Sequence, residues 1–134
     1  SVQTFLPYRN FTVSVLCLDY RRLGKQRVEA RQILTSLEKK SGWINHPATK
    51  MWDGFEDALS LYSNECIKEW VSRGYKNTMP LLPTSKYPKM PDWIGGKIHE
   101  THRAALKFKD PEYYEQYDWD EPAVLDYYWP TKDL

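Results

Sequence analysis

The sequence predicts a mainly α, compact single-domain helical bundle with one long proline-rich crossover loop. Three observations carry that expectation. Apolar residues recur every three or four positions over 19–40 and again over 55–73, the period of helices that bury one face. Pro80, Pro83, Pro88 and Pro91 keep 75–93 from forming one regular element, so that stretch must wrap the helices as a crossover. The 134 residues, 41% hydrophobic and 28% charged, suit one globular domain, 1–134, with a core of its own.

Each element has its own local reason. Pro7 makes residues 2–8 a short extended or irregular lead, and Thr12 is placed to cap a short turn through Leu16. The main helix runs from Asp19 to about Lys40, with Lys39 and Lys40 favourable at its C-terminal end and Ser41-Gly42 as the stop. On it, Leu23, Ala30, Leu34 and Leu37 form an apolar arc, while Arg22, Lys25, Gln26 and Glu29 share an adjacent polar arc bracketed by Leu18 and Ile33. Trp43 to Pro47 is a loop, and Pro47 opens a helical turn through Met51 and Trp52. Phe55, Leu59, Tyr62, Cys66 and Trp70 give a second amphipathic helix, which Gly74 ends just after Arg73; that spacing reads as core. A third helix follows Gly95-Gly96, from about Lys97 to Lys109, and Asp110-Pro111 breaks it before an aromatic turn through Tyr117. The acidic tail carries Trp119, Tyr127, Tyr128 and Trp129, too aromatic to stay solvated, and is predicted to pack back on the helices.

Charge and composition then narrow the function. No apolar run approaches the roughly 18 residues of a membrane span, and no leader peptide is predicted. Cys17 and Cys66 lie on apolar-periodic stretches without metal spacing, which predicts buried thiols in a reducing, cytosolic compartment. The net charge of +1 hides a segregation: residues 1–109 hold 18 Lys and Arg against 10 Asp and Glu, whereas 110–134 hold 8 acidic groups against Lys132 alone. A basic body attracts phosphates and an acidic tail competes with them, so the expected partner is DNA or a nucleotide ligand, with no membrane. There is no phosphate-binding glycine loop, no nucleophile elbow and no cysteine pair at zinc spacing, and neither cofactor nor metal is predicted.

Three groups of residues are candidates for a site. Arg21, Arg22 and Lys25 form a cationic cluster suited to clamping phosphates, with Gln26 and Glu29 on the same arc; the alternative is an ordinary solvated helix face. His99, His102 and Arg103 fall at i, i+3 and i+4 on one helix face. Two imidazoles lack the third and fourth ligands a metal needs, so the expectation there is contact with phosphate or base, or else structural hydrogen bonding. His46, with Trp43 and Asn45 before Pro47, suits a pocket rim where a ring stacks a base and an amide reads its edge, or alternatively a loop anchor beside a buried Trp.

Several blocks together resemble the pyrimidine-dimer DNA glycosylases of the phage endonuclease V type. They include Leu18 to Leu23, Glu69-Trp70-Val71-Ser72-Arg73-Gly74-Tyr75 and Pro111 to Tyr117. The chain is also similar to small bacterial and phage members that carry Gln-Thr-Phe-Leu-Pro-Tyr, here 3–8, and Arg-Arg-Leu-Gly-Lys-Gln-Arg-Val-Glu, here 21–29. The same members carry Asn-His-Pro-Ala, here 45–48, and His-x-x-His-Arg with a following Lys-Asp-Pro, here 99–103 and 109–111. The resemblance covers most of the chain. It implies a helical endonuclease V-like domain and a cytoplasmic DNA-repair enzyme of a bacterial cell or phage-infected host, both glycosylase and abasic-site lyase. It further implies that an N-terminal α-amine attacks the sugar C1′ to form a Schiff base while a carboxylate on the first helix assists.

With Ser1 as the mature first residue, its amine would be that nucleophile, and an unperturbed pKa near 8 leaves it partly neutral at physiological pH. One departure stands out: the position of the catalytic glutamate in the characterised branch falls on Arg22, which cannot exchange a proton. Glu29, two turns along the same arc, or less comfortably Asp19, can supply the carboxylate instead. The alternative function is a noncatalytic protein that sequesters a nucleotide or nucleic-acid end in the same basic, aromatic pocket; a third is an interaction protein with an aromatic contact tail.

Overall fold

The computed structural model describes residues 2–130, which fold into α1 (Phe11–Leu16), α2 (Tyr20–Lys39), α3 (Pro47–Lys50), α4 (Glu56–Ser72), α5 (Ile98–Lys109) and α6 (Pro111–Tyr114), followed by a 3-10 turn at Glu115–Tyr117. No strand occurs among the described residues, and no described helix is long and apolar enough to cross a membrane. The mainly α expectation holds. Long helices α2 and α4 pack against each other, α1 lies on α4, α3 on α2, and α6 on α5.

Helix α2 starts where the Asp19 carboxylate accepts from Arg22 N and stops where Lys40 turns left-handed at φ 52°. Its buried line runs through Leu23, Gln26, Ala30, Ile33 and Ser36, one step round from the predicted arc, so Leu34 and Leu37 are only half-buried. Gln26 can lie in the core because its Oε1 accepts from Phe5 N at 2.8 Å, with the Tyr62 hydroxyl 2.9 Å away. A buried amide with its acceptor satisfied costs little. Helix α4 ends at Arg73, with Gly74 at φ 89°, as its sequence predicts. At α1 the cap is Asn10, whose side chain accepts from Val13 N; Thr12 instead donates its hydroxyl to Glu65.

The irregular lead is the structural surprise. Residues 2–6 are buried although they belong to no helix, and a buried main chain must find partners for its N–H and C=O groups. Here side chains supply them. Gln3 N–H bonds Glu29 Oε1 at 3.0 Å, Phe5 N–H bonds Gln26, and the Tyr62 hydroxyl donates to Phe5 O at 2.7 Å. Leu6 N–H donates to His102 Nδ1 at 2.9 Å, Leu6 O accepts from His99 Nδ1 at 2.8 Å, and Pro7 O accepts from Arg103 at 2.8 Å. The segment is thus pinned between α2, α4 and α5, with Val2 and Gln3 placed over the exposed side of α2.

The crossover and tail close the remaining faces. Asn64 brackets Leu82 with a pair of 2.8 Å bonds, Arg31 reaches Pro80 O at 2.8 Å, and the Trp93 indole packs edge-on against Trp52 while donating to Met51 O. Trp119 stacks on Tyr114 and Tyr117 and donates to the Tyr8 hydroxyl, and Tyr127 packs against Phe5 and His102, so the aromatic tail folds back as predicted. Cys17 and Cys66 are buried free thiols; burial pushes the Cys17 thiol up to about 12, which keeps it protonated and inert.

Candidate active site

The exposed side of α2 forms one wall of a cavity of about 880 Å³. From α2 it receives Arg21, Arg22, Lys25, Gln26 and Glu29, four of which share the arc predicted from the helical period. The lead contributes Val2, Gln3 and Phe5, the loop before α3 contributes His46, and the tail contributes Tyr127 and Trp129. Lys109 reaches it from the last residue of α5.

Glu29 lines this cavity beside Gln3. Its half-buried carboxyl holds Gln3 N–H through Oε1, while Oε2 has no hydrogen-bond partner among the described residues. Desolvation pushes this carboxyl above the usual range, opposed by the Gln3 N–H and by the charges of Lys25 and Lys109. The result is a carboxyl that can exist in either protonation state closer to neutrality, as general acid–base work requires. Asp19, the other carboxylate on this helix, is not on the cavity wall: it is buried, caps α2, accepts from the Tyr114 hydroxyl and pairs with Arg22 at 3.2 Å.

Four cations line the same cavity. Arg21, Lys25 and Lys109 make no ion pair among the described residues, whereas Arg22 has its single pairing with Asp19. Lys109 is held below the ordinary lysine range, first by desolvation and then by the neighbouring charges of Arg22 and Lys25, with Glu29 acting the other way. Unpaired cations around one concavity concentrate anions there.

Aromatic rings form the remaining walls. Tyr20 stacks on Trp70 with centroids 5.5 Å apart and planes 18° apart, and Tyr75 closes against both. Gly24 makes this possible in mid-helix: a Cβ there would stand 3.1 Å from the Trp70 ring. Opposite, His46 sits edge-on between Trp43 and Trp129, with centroids at 5.9 and 5.8 Å. Its Nδ1 accepts from Ala48 N–H as the cap of α3, which leaves the proton on Nε2, and desolvation holds its pKa below the ordinary value.

The structure brings Arg21, Arg22, Lys25, Gln26, Glu29 and His46 together and leaves the other candidates apart. Trp43 backs His46 without lining the cavity, and Asn45 is exposed beside it. His99, His102 and Arg103 lie behind the lead, where they fasten Leu6 and Pro7 from the far side, the structural alternative for that cluster. Among the described residues no group of His, Cys, Asp or Glu is arranged to hold a metal. Lys109, Trp70, Tyr127 and Trp129 escaped the sequence-derived site. Lys109 is 80 positions from Glu29, and only the fold of α5 against the lead places it there; Trp70 carries a core-like spacing that hides its pocket-facing role.

A family model described as pyrimidine dimer DNA glycosylase matches residues 2–83, a span that includes the lead, α2 and α4. No curated protein and no solved structure matches the chain.

Proposed function

Because the chain belongs to the pyrimidine dimer DNA glycosylase family, a family of DNA-repair glycosylases, we propose that it excises damaged pyrimidines from DNA and cleaves the abasic site through a Schiff base formed in the α2 cavity. The observation that carries this reading is the Glu29 carboxyl on the cavity wall, bonded to Gln3 N–H and sharing that cavity with Arg21, Arg22, Lys25 and Lys109.

With Ser1 as the mature first residue, the attacking amine is assigned to it; Ser1 lies outside the described residues and precedes Val2 of the cavity wall. The neutral amine bonds to C1′ as the bond from C1′ to the damaged base breaks, and the amine's proton leaves with the base. Protonated Glu29 donates to the ring oxygen as the sugar opens to the imine. As carboxylate it then takes a C2′ proton, and the 3′ phosphate departs. Arg21, Arg22 and Lys25 hold backbone phosphates around the lesion, and the Phe5, Tyr127 and Trp129 rings shelter the imine from water.

Incision of an end-labelled duplex carrying a single cyclobutane pyrimidine dimer tests the reading: strand cleavage at the dimer is expected. Tight binding without cleavage would shift the assignment to the noncatalytic, sequestering alternative. The clamp has its own test. Arg22→Ala is expected to weaken DNA binding by a few kcal/mol at most and to lower the slope of log K against log salt by about 1, as for loss of one phosphate contact. An unchanged affinity and slope would remove Arg22 from the phosphate-binding set.

A further inference from the structure

Resting on the Schiff-base reading above, we propose that Lys109 is a second imine-forming amine of the cavity, able to capture the C1′ aldehyde of an abasic site without the chain's first residue. Lys109 lines the same cavity as Glu29 but comes from the end of α5, outside the 2–83 span that the family match covers. Its ammonium makes no hydrogen bond or ion pair among the described residues, so no fixed partner locks it in the charged form. Lys109 is exposed as a residue, and what favours its neutral amine is the limited desolvation it meets at the cavity together with the charges of Arg22 and Lys25, which line the same cavity. Desolvation and a neighbouring cation both favour the neutral, nucleophilic form of a lysine. Glu29, the nearby acid–base group, acts on Lys109 from the opposite sign of charge.

The step balances. Lys109 Nζ bonds to C1′ of the open aldehyde, one amine proton and a proton from Glu29 leave with the aldehyde oxygen as water, and the protonated imine and Glu29 carboxylate remain. Glu29 carboxylate then takes the C2′ proton, the electrons shift toward the imine, and the C3′–O bond breaks to release the 3′ phosphate. A plain phosphate-holding lysine would also sit among these cations, but it would form no covalent bond to the sugar.

The test reduces the folded full-length protein with borohydride on a duplex containing one abasic site, then maps the adduct by peptide mass spectrometry. The expected result is an adduct on the peptide containing Lys109, reduced at least tenfold at that peptide in Lys109→Arg, which keeps the charge and removes the nucleophile. Circular dichroism of the variant confirms the fold. An adduct confined to the first residue, unchanged in Lys109→Arg, would overturn this inference and leave the Schiff-base reading standing. So would an adduct on Lys25 of the same cavity in place of Lys109, or adducts spread evenly over Lys109 and exposed lysines outside the cavity such as Lys39 and Lys40. No adduct at any position would overturn the Schiff-base reading and this inference with it.

Discussion

Replacing Glu29 with glutamine is expected to lower strand cleavage at an abasic site by about 10²- to 10⁴-fold, the range for removal of a general acid–base group, while binding and stability stay near those of the parent protein. The amide oxygen of glutamine can still accept from Gln3 N–H, so the lead keeps its bond to α2. What disappears is the exchangeable proton. The parent carboxyl is raised by desolvation, so the inflection that Glu29 contributes to the pH–rate profile should lie above the ordinary carboxylate range and be absent in Glu29→Gln, which keeps only the titration of the attacking amine. Arg22→Ala provides the contrast, because loss of a phosphate contact should appear in affinity and salt dependence before it appears in turnover. Retention of full cleavage by Glu29→Gln would remove Glu29 from the chemistry.

Stability is expected to fall steeply as the pH drops from about 6.5 toward 3, with His102 as the main cause. His102 is fully buried and its Nδ1 accepts from Leu6 N–H, so the folded state holds it neutral with a pKa lowered to about 3, through desolvation and then the proximity of His99. In the unfolded chain the same ring titrates near 6.5. The unfolded state therefore binds more protons between these values. Its stabilising effect is complete above 6.5 and is lost as pH falls, at up to about 1.4 kcal/mol per pH unit. His99 is lowered too, chiefly by burial, and its Nε2 accepts from Gly95 N–H at 2.7 Å, so it contributes in the same direction. Glu29 opposes them, since a raised carboxyl pKa favours the fold as pH falls. Urea unfolding at pH 7.5 and 5.0 checks this: the midpoint should drop clearly in the parent and much less in His102→Leu. That variant should also be weaker at pH 7.5 by about 1–3 kcal/mol, the cost of a buried N–H left without an acceptor. A midpoint independent of pH over this range would contradict the assignment.

Where the sequence carries local physics, it predicts the fold well. The end of α4 at Gly74, Pro47 opening α3 and Asp110-Pro111 breaking α5 from α6 all depend on neighbouring residues and were readable from them, and the end of α2 fell within a residue of the predicted Lys40, although Lys40 itself rather than Ser41-Gly42 makes the left-handed stop. The lead was readable only as irregular. Its burial depends on Gln26, Tyr62, His99 and His102, up to 96 positions away, and neither period nor propensity encodes such partners. The same gap hid the meaning of the His-x-x-His-Arg cluster. One helix face of polar residues looks alike whether it meets a phosphate or a main chain, and here it meets Leu6 and Pro7. The cationic arc of α2 was legible because four of its members sit one or two turns apart on one helix. Lys109 and the rings of the tail were not, because only the return of the chain puts them opposite that arc.

The central claim is that the α2 cavity forms a covalent imine with a damaged or abasic sugar. Borohydride trapping of the parent protein on two duplexes, one with an abasic site and one with a cyclobutane dimer, tests it most directly. The account predicts a stable protein–DNA adduct on both, with no adduct on undamaged DNA. Absence of an adduct on either damaged duplex, from protein shown to be folded and to bind that DNA, would contradict it.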